Sequence, residues 1–235
     1  GLNQQRIIGK ALTDFKKSNK PVIAAEDYYS QKAYYLASYA DEIYLNPMGG
    51  VDLHGIGTFR LYFKDAIDTL KINYNIFRVG NFKSALEPIM RNSMSPDAKT
   101  QNMSWLTALW DAISGDIIRE RGLNADALNV YIENIASQLA TAGGDTAQLA
   151  LNTRLVDELK TRAELRSYLQ KINGKDAEGS FRQISLKSYL GTIAHSYTHS
   201  DSQKPSVGIV IAQGPILNGD QQIGASGVTS ALQLL

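Results

Sequence analysis

Residues 20–47, Lys20-Pro-Val-Ile-Ala-Ala-Glu-Asp-Tyr-Tyr-Ser-Gln-Lys-Ala-Tyr-Tyr-Leu-Ala-Ser-Tyr-Ala-Asp-Glu-Ile-Tyr-Leu-Asn-Pro47, place a helical pattern between two short apolar runs. The runs 22–25 and 42–45 have the length and composition of buried strands. Residues 30–39 predict a helix, with Ser30 in position to act as its N-cap. A strand, a helix and a second strand in this order indicate an α/β layered domain.

The alternation continues on both sides of this stretch. A further buried strand is predicted at 74–79, leading to Gly80, and the clearest helix begins at Pro96 after an N-cap Ser95 and ends before Gly122. Further helices are predicted at 3–18, 61–70, 124–137, 146–152 and 161–171. Because the strands are short and the turns rich in Gly and Pro, a stack of ββα units and a doubly wound sheet both remain open.

The character of the chain changes after residue 171. Residues 172–205 are rich in Gly, Ser, Lys, Asp and Gln, which is typical of a linker. The run Val207-Gly-Ile-Val-Ile-Ala212 then predicts a buried core strand. We therefore expect one domain over 1–171, a linker over 172–205, and the start of a second domain over 206–235, in a fragment that ends soon after the first strand of that domain.

Composition excludes several classes of protein. The chain has 235 residues, 24 Lys and Arg against 23 Asp and Glu, and no basic run, so nucleic acid is not an expected partner. Cysteine is absent, which excludes disulfides, cysteine nucleophiles and thiolate metal sites. No apolar stretch reaches the roughly 18 residues of a membrane helix. The first residues have no signal-peptide pattern, so we expect any targeting segment to lie outside this chain.

The best candidate for catalysis is Lys83, within Phe77-Arg-Val-Gly-Asn-Phe-Lys-Ser-Ala-Leu-Glu-Pro88. It follows the predicted strand, and burial against Phe82, Leu86 and Ile89 would disfavour its ammonium form and leave a neutral amine to act as general base. Ser84 is interpreted as a local hydrogen-bonding residue or helix N-cap. Glu87 could orient the lysine by an ion pair or be a surface carboxylate.

Cofactor sites are not indicated by the sequence. His195 and His199 have the i, i+4 spacing of helical metal ligands, but no third ligand lies near them in a segment with linker composition. No glycine-rich nucleotide-binding motif occurs. We expect no cofactor and no metal.

Three groups of segments, in order along the chain, carry a resemblance to a known family. They are Lys20-Pro-Val-Ile23 with Ala40–Pro47 and Val51–Gly57, then Phe77–Pro88 with Met94-Ser-Pro96, and last Gly144–Ala147 with Leu155-Val-Asp157. Together they resemble the S49 family of serine peptidases, the signal peptide peptidases, in its long, two-repeat bacterial form. The second group is the most specific.

This resemblance implies a fold, an activity and a location. The fold is a Clp-protease/crotonase-like α/β spiral of ββα units, and this chain is the N-terminal, lysine-bearing repeat with the first strand of a second repeat. The enzyme is implied to be a homotetramer at the periplasmic face of the bacterial inner membrane that degrades cleaved signal peptides. Its Ser-Lys dyad uses a lysine that falls on Lys83 and a serine from the second repeat, beyond this chain.

One segment departs from the family pattern. Residues 25–34 correspond to the region around the nucleophile in the second repeat, yet they contain no glycine, which an oxyanion hole of backbone N–H groups needs for close approach. We therefore do not assign Ser30 as nucleophile and expect this chain alone to be inactive. The alternative is a non-catalytic crotonase-like scaffold or assembly module.

Overall fold

The structure is a computed structural model that describes residues 1–80, 82–193, 216–217 and 226–227. Chain contacts divide it into two compact units, residues 1–182 and 183–235. The helices of the first unit are α1 (Leu2–Lys16), α2 (Gln31–Ala37), α3 (Lys64–Thr69), α4 (Glu87–Met90), α5 (Pro96–Arg121), α6 (Ala127–Glu133), α7 (Ile135–Thr141), α8 (Thr146–Asn152) and α9 (Arg162–Asn173). Its strands are β1 (Ile23–Glu26), β2 (Glu42–Leu45) and β3 (Glu158–Leu159).

The second unit contributes α10 (Leu186–Ile193) and two short strands, β4 (Ile216–Leu217) and β5 (Ser226–Gly227), which pair in parallel. The strand predicted at 207–212 lies outside the described residues. The domain limits drawn from the sequence stay a prediction.

The three strands of the first unit form one parallel sheet in the order β1-β2-β3. Ile23 pairs with Glu42 at one end of the β1-β2 ladder, and Leu45 pairs with Leu159 between β2 and β3. Parallel neighbours need a crossover, and α2 is the crossover between β1 and β2. The predicted strand-helix-strand order is thus confirmed, as is the α/β class; the spiral of ββα units stays a prediction.

Tyrosines make up much of the core beneath this sheet. Tyr34 and Tyr35 on α2 are fully buried, and the hydroxyl of Tyr34 donates to the Leu155 carbonyl at 2.6 Å. The hydroxyl of Tyr29 donates to the Tyr44 carbonyl at 3.0 Å, and that of Tyr131 to the Val51 carbonyl at 3.0 Å. A buried hydroxyl without a partner is costly, so each of these bonds ties a loop to the core.

Helix α5 begins and ends where the sequence predicts. The Ser95 hydroxyl accepts a hydrogen bond from the Ala98 N–H at 3.2 Å, and Gly122 adopts φ +59°, the left-handed geometry that ends many helices. The C-terminal half of the helix buries Ile117, whereas Met103 and Trp105 in the N-terminal half are exposed. Ala98 in the first turn is also buried, but it is Ile117 that belongs to the main cluster of core residues in the described part of the chain.

Two predicted elements are wrong. Residues 74–79 form no strand, and Phe77 and Val79 are 93% and 84% exposed, because the described sheet offers this apolar run no neighbouring strand to pair with. The helix predicted over 124–137 is interrupted at Asn134, whose backbone (φ −109°, ψ 17°) leaves the helical range and separates α6 from α7. Strand propensity in a short run shows that the residues would suit a sheet, but it does not show that a neighbouring strand is present to pair with them.

Candidate functional site

Lys83 lies in what we call the lysine arm, residues 59–95, which connects the sheet to α5 and contains α3 and α4. Gly80 has φ +102°, a conformation that a side chain would strain. A Cβ added to Gly80 would lie 3.9 Å from Lys83 Cε, so the lysine side chain passes alongside the glycine. The Arg78 guanidinium donates to the Lys83 carbonyl at 3.1 Å, which closes the turn between them.

Lys83 itself is exposed, contrary to the burial expected from the sequence. Phe82 and Leu86, the expected apolar neighbours, are 57% and 38% exposed. The reason is the missing strand: residues 74–79 were expected to carry the lysine into a core, and they run along the surface instead. Its role as general base stays a prediction.

Glu87, four residues after Lys83, is 2% exposed. Its Oε2 accepts a hydrogen bond from the Ser95 N–H at 3.2 Å. Burial by itself raises the pKa of Glu87, but hydrogen bonds from the Ser95 hydroxyl and N–H, together with the charges of Arg91 and Arg78, outweigh it and hold the pKa below its ordinary value. Both interpretations from the sequence are wrong: among the described residues Glu87 forms no ion pair with Lys83, and it is not a surface carboxylate.

Ser84 does not cap a helix with its side chain. Helix α4 begins at Glu87 after the cap residue Leu86, and Ser84 contributes its backbone carbonyl to the Glu87 N–H at 3.1 Å and to the Arg60 guanidinium at 3.1 Å. Of the two interpretations of Ser84, the N-cap is wrong, whereas the local hydrogen-bonding role agrees with the structure, in which its carbonyl closes the turn that follows Lys83.

A small cleft of about 150 Å³ lies at the carboxyl ends of β1 and β2, the edge where α/β sheets commonly bind ligands. Three of the four charged side chains in its lining form ion pairs. Arg162 pairs with Asp27, and the hydrogen bond from Arg162 lowers the pKa of Asp27. The Lys160 ammonium lies 2.6 Å from Glu158 and 4.8 Å from the centre of the Tyr44 ring. The fourth charged side chain of the lining, Glu26, takes part in no ion pair among the described residues.

Ser30 stands beside this edge of the sheet as the N-cap of α2. Its hydroxyl accepts a hydrogen bond from the Ala33 N–H at 3.4 Å, as the sequence predicts. The Ser30 oxygen thus serves as the acceptor that caps the N-terminus of α2. That arrangement agrees with leaving Ser30 out of the candidate catalytic residues.

Comparison with known proteins identifies the family. Residues 14–175, which include the whole sheet and Lys83, match the peptidase family S49. The chain belongs to peptidase family S49. It is 39% identical over 232 residues to a protein named Protease 4 from Salmonella typhi, and 35% identical over 228 residues to Protease 4 from Haemophilus influenzae. Each match covers 97% of this chain, which spans 36% and 37% of the two relatives.

The S49 chain also has a broader apolar recess, about 510 Å³, between α1, α2, α5 and the loop 54–57. The side-chain amide of Gln31 holds that loop: its oxygen accepts from the His54 and Gly55 N–H groups at 3.0 Å, and its nitrogen donates to the Gly55 carbonyl at 2.9 Å. His54 is exposed, with Nδ1 3.0 Å from Asp52 Oδ1. The His195 and His199 pair lies outside the described residues, among which no cluster of three metal-ligating side chains occurs.

Sequence reasoning missed the buried carboxylate Asp116 on α5. It accepts hydrogen bonds from Arg6 at 2.8 Å, Arg119 at 2.9 Å and the Tyr35 hydroxyl at 2.7 Å. Burial raises the pKa of Asp116, but these hydrogen bonds outweigh it and the pKa lies below its ordinary value. Its position between Ile113 and Ile117, on the apolar face of a helix in this S49 protein, was the signal available in the sequence.

Proposed function

We propose that this chain is the lysine-bearing part of a serine endopeptidase, in which Lys83 is the general base for a serine carried by a part of the protein outside this chain. The observation that carries the proposal is membership of peptidase family S49 over the residues that include the Gly80 turn and Lys83. The similarity to proteins named Protease 4 supports proteolysis as the activity.

The proposed mechanism needs the Lys83 amine to be neutral. Free lysine has a pKa near 10.4, and only the loss of water around the ammonium, or a nearby cation, lowers it by several units. Because Lys83 is exposed here, we infer that the serine-bearing part of the protein supplies the enclosure. The neutral amine then accepts the serine proton as the serine oxygen attacks the peptide carbonyl, and the ammonium returns that proton to the leaving amine. Water releases the acyl group in a second step.

Substrate, location and assembly form part of the same proposal. The substrates are cleaved signal peptides, and the enzyme works as a homotetramer at the periplasmic face of the bacterial inner membrane. The exposed apolar side chains of the lysine arm support assembly, since a surface of this kind is typical of an interface. They include Phe59, Leu61, Leu70, Phe77, Val79 and Phe82. Within the described part of the chain, no helix combines the length and the apolar character needed to cross a membrane.

The test is Lys83→Ala in the protein at its full natural length, assayed on a peptide ester. We expect kcat to fall on the order of 1,000-fold, since a positioned general base contributes about 10²- to 10⁴-fold. The matched control is Lys99→Ala, which removes another exposed lysine from the first turn of α5 and should leave kcat unchanged. Wild-type turnover by Lys83→Ala would sink the proposal.

A scaffold or assembly module is the second candidate. The observation in its favour is the exposed apolar surface of the lysine arm. Labelling of the full-length protein with a serine-directed fluorophosphonate separates the two. A labelled, turnover-competent protein supports the peptidase, whereas an unlabelled protein that still assembles supports the scaffold. We expect the isolated chain to hydrolyse nothing.

A further inference from the structure

Glu87 has the lowest exposure of any acidic residue in the described part of the chain, and nothing in the proposed chemistry uses it. A buried carboxylate is expensive to keep unless several donors satisfy it. At the N-terminus of α5, Glu87 accepts a hydrogen bond from the Ser95 backbone N–H at 3.2 Å. The positive end of the helix dipole of α5 further favours a negative charge there.

The contact with Ser95 joins two otherwise separate pieces of structure. Ser95 is the N-cap of α5, whose other end is anchored in the core by Ile117. Glu87 opens α4, and its backbone N–H binds the Ser84 carbonyl, directly after Lys83. The Glu87 side chain therefore fastens the turn that follows Lys83 to the longest helix of the protein.

Other contacts hold the same turn from the remaining sides. Arg78 donates to the Lys83 carbonyl at 3.1 Å and Arg60 to the Ser84 carbonyl at 3.1 Å. The Phe63 N–H donates to the Pro88 carbonyl at 2.7 Å, directly after Glu87. The bonds from Arg78 and Arg60 are exposed, where water competes with them, whereas the Glu87–Ser95 contact is partly buried.

We propose that Glu87 is a positioning residue for Lys83: by binding Ser95 it fixes the 83–87 turn on the N-terminus of α5 and sets where the lysine amine is presented to the serine. The inference rests on the proposed function, in which Lys83 is the base. It assigns Glu87 no contact with substrate.

The experiment compares Glu87→Gln, Ser95→Ala and the double variant in the protein at its full natural length. The amide keeps the volume of the side chain but offers one acceptor oxygen instead of two, and Ser95→Ala removes the hydroxyl that caps α5 while keeping the backbone N–H that binds Glu87. We expect Glu87→Gln to lower kcat on the order of ten-fold with KM within about two-fold, since a misplacement of about 1 Å can cost up to 100-fold. The double variant should be no slower than the slower single variant, because both changes loosen the same junction between Glu87 and the N-terminus of α5.

Two controls separate positioning from general structural damage. Thr161→Ala removes the corresponding N-cap hydroxyl of α9, and Asp97→Asn removes an exposed charge from the first turn of α5. Both should keep the wild-type kcat. The melting temperature of each variant is measured in parallel. Glu87→Gln must lose more kcat than Thr161→Ala does, and its melting temperature must fall by no more than that of Thr161→Ala.

The outcomes distinguish this inference from the function beneath it. If Lys83→Ala is inactive while Glu87→Gln keeps the wild-type kcat, or if the effects of Glu87→Gln and Ser95→Ala simply add, the positioning role is overturned and the function stands. If Lys83→Ala itself keeps full activity, the proposed function is contradicted, and the positioning role that rests on it is contradicted with it. A Glu87→Gln variant that loses kcat only as KM rises, or only as it unfolds, also overturns the positioning role.

Discussion

The sheet region and the lysine arm of this S49 chain differ in how much of their apolar surface is buried. Around β1, β2 and α2, apolar and tyrosine side chains are enclosed and their hydroxyls are paired with backbone carbonyls. In the lysine arm, Phe59 and Phe77 are 95% and 93% exposed, and backbone segments are irregular. The sheet region thus stabilises itself, while the arm exposes apolar surface that a stable monomer normally covers.

The proposed chemistry therefore lies in the lysine arm, the region whose apolar side chains are less buried. Lys83 lies in the arm, and the Glu87–Ser95 contact ties the turn after it to a helix whose C-terminal half packs in the core. A candidate base that is exposed in this chain and buried in the complete enzyme would be active only after assembly with the serine. In such an arrangement the isolated chain would have no peptidase activity.

The largest expected effect tests whether the sheet carries the stability. Leu45 is fully buried in β2, between β1 and β3. Leu45→Ala removes buried methyl groups and leaves a cavity, so we expect the free energy of unfolding to fall by about 3 kcal/mol. Urea unfolding followed by circular dichroism measures it. A loss below about 1 kcal/mol would mean that the sheet region is not the stabilising half.

A smaller effect is expected at Asp116, which joins α1, α2 and α5. Asp116→Asn removes charge-assisted hydrogen bonds and should cost about 2 kcal/mol at pH 7. Because the pKa of Asp116 is lowered in the folded state, its contribution is present above the unfolded-state value near 4 and is lost as the pH falls below it.

Urea unfolding of both proteins between pH 7 and pH 3 checks this sign. The difference in stability between wild type and Asp116→Asn should stay constant down to about pH 5 and close below about pH 4. Asp14→Asn, at an exposed ion pair with Lys17, is the control and should leave the urea midpoint at pH 7 unchanged. A difference that widens in acid would contradict the assigned cause.

The smallest expected effect belongs to the arm. Phe77→Ala should change the stability of this chain by less than about 0.5 kcal/mol, because the ring is almost fully exposed. The sharper comparison is the same substitution in the full-length protein, where the sedimentation profile and ester hydrolysis report whether the ring is covered on assembly. A large stability loss in the isolated chain would show that the arm packs on itself after all.

Much of the sheet region could be predicted from the sequence. The strand at 42–45 and the helix at 146–152 are found at the predicted residues, and Ser95 and Gly122 delimit α5 as expected. These signals are local: apolar runs of strand length, capping side chains and a glycine in a left-handed conformation act within a few residues.

Prediction was poorer in the arm, for a reason that is also physical. The run 74–79 has the composition of a strand, but pairing depends on a neighbour far away in sequence, and the described residues provide none. Likewise, Glu87 resembles any carboxylate in a polar segment until Ser95 is seen to bind it.

The sequence by itself determined the α/β class, the limits of α5 and the resemblance to family S49 that makes Lys83 the candidate base, because these depend on short-range patterns and family motifs. Only the tertiary structure decided that Lys83 is exposed, that Glu87 is buried against Ser95, and that Asp116 unites three helices. Burial is a property of what packs against a residue, and the packing partners here lie 8 to 110 positions away along the chain.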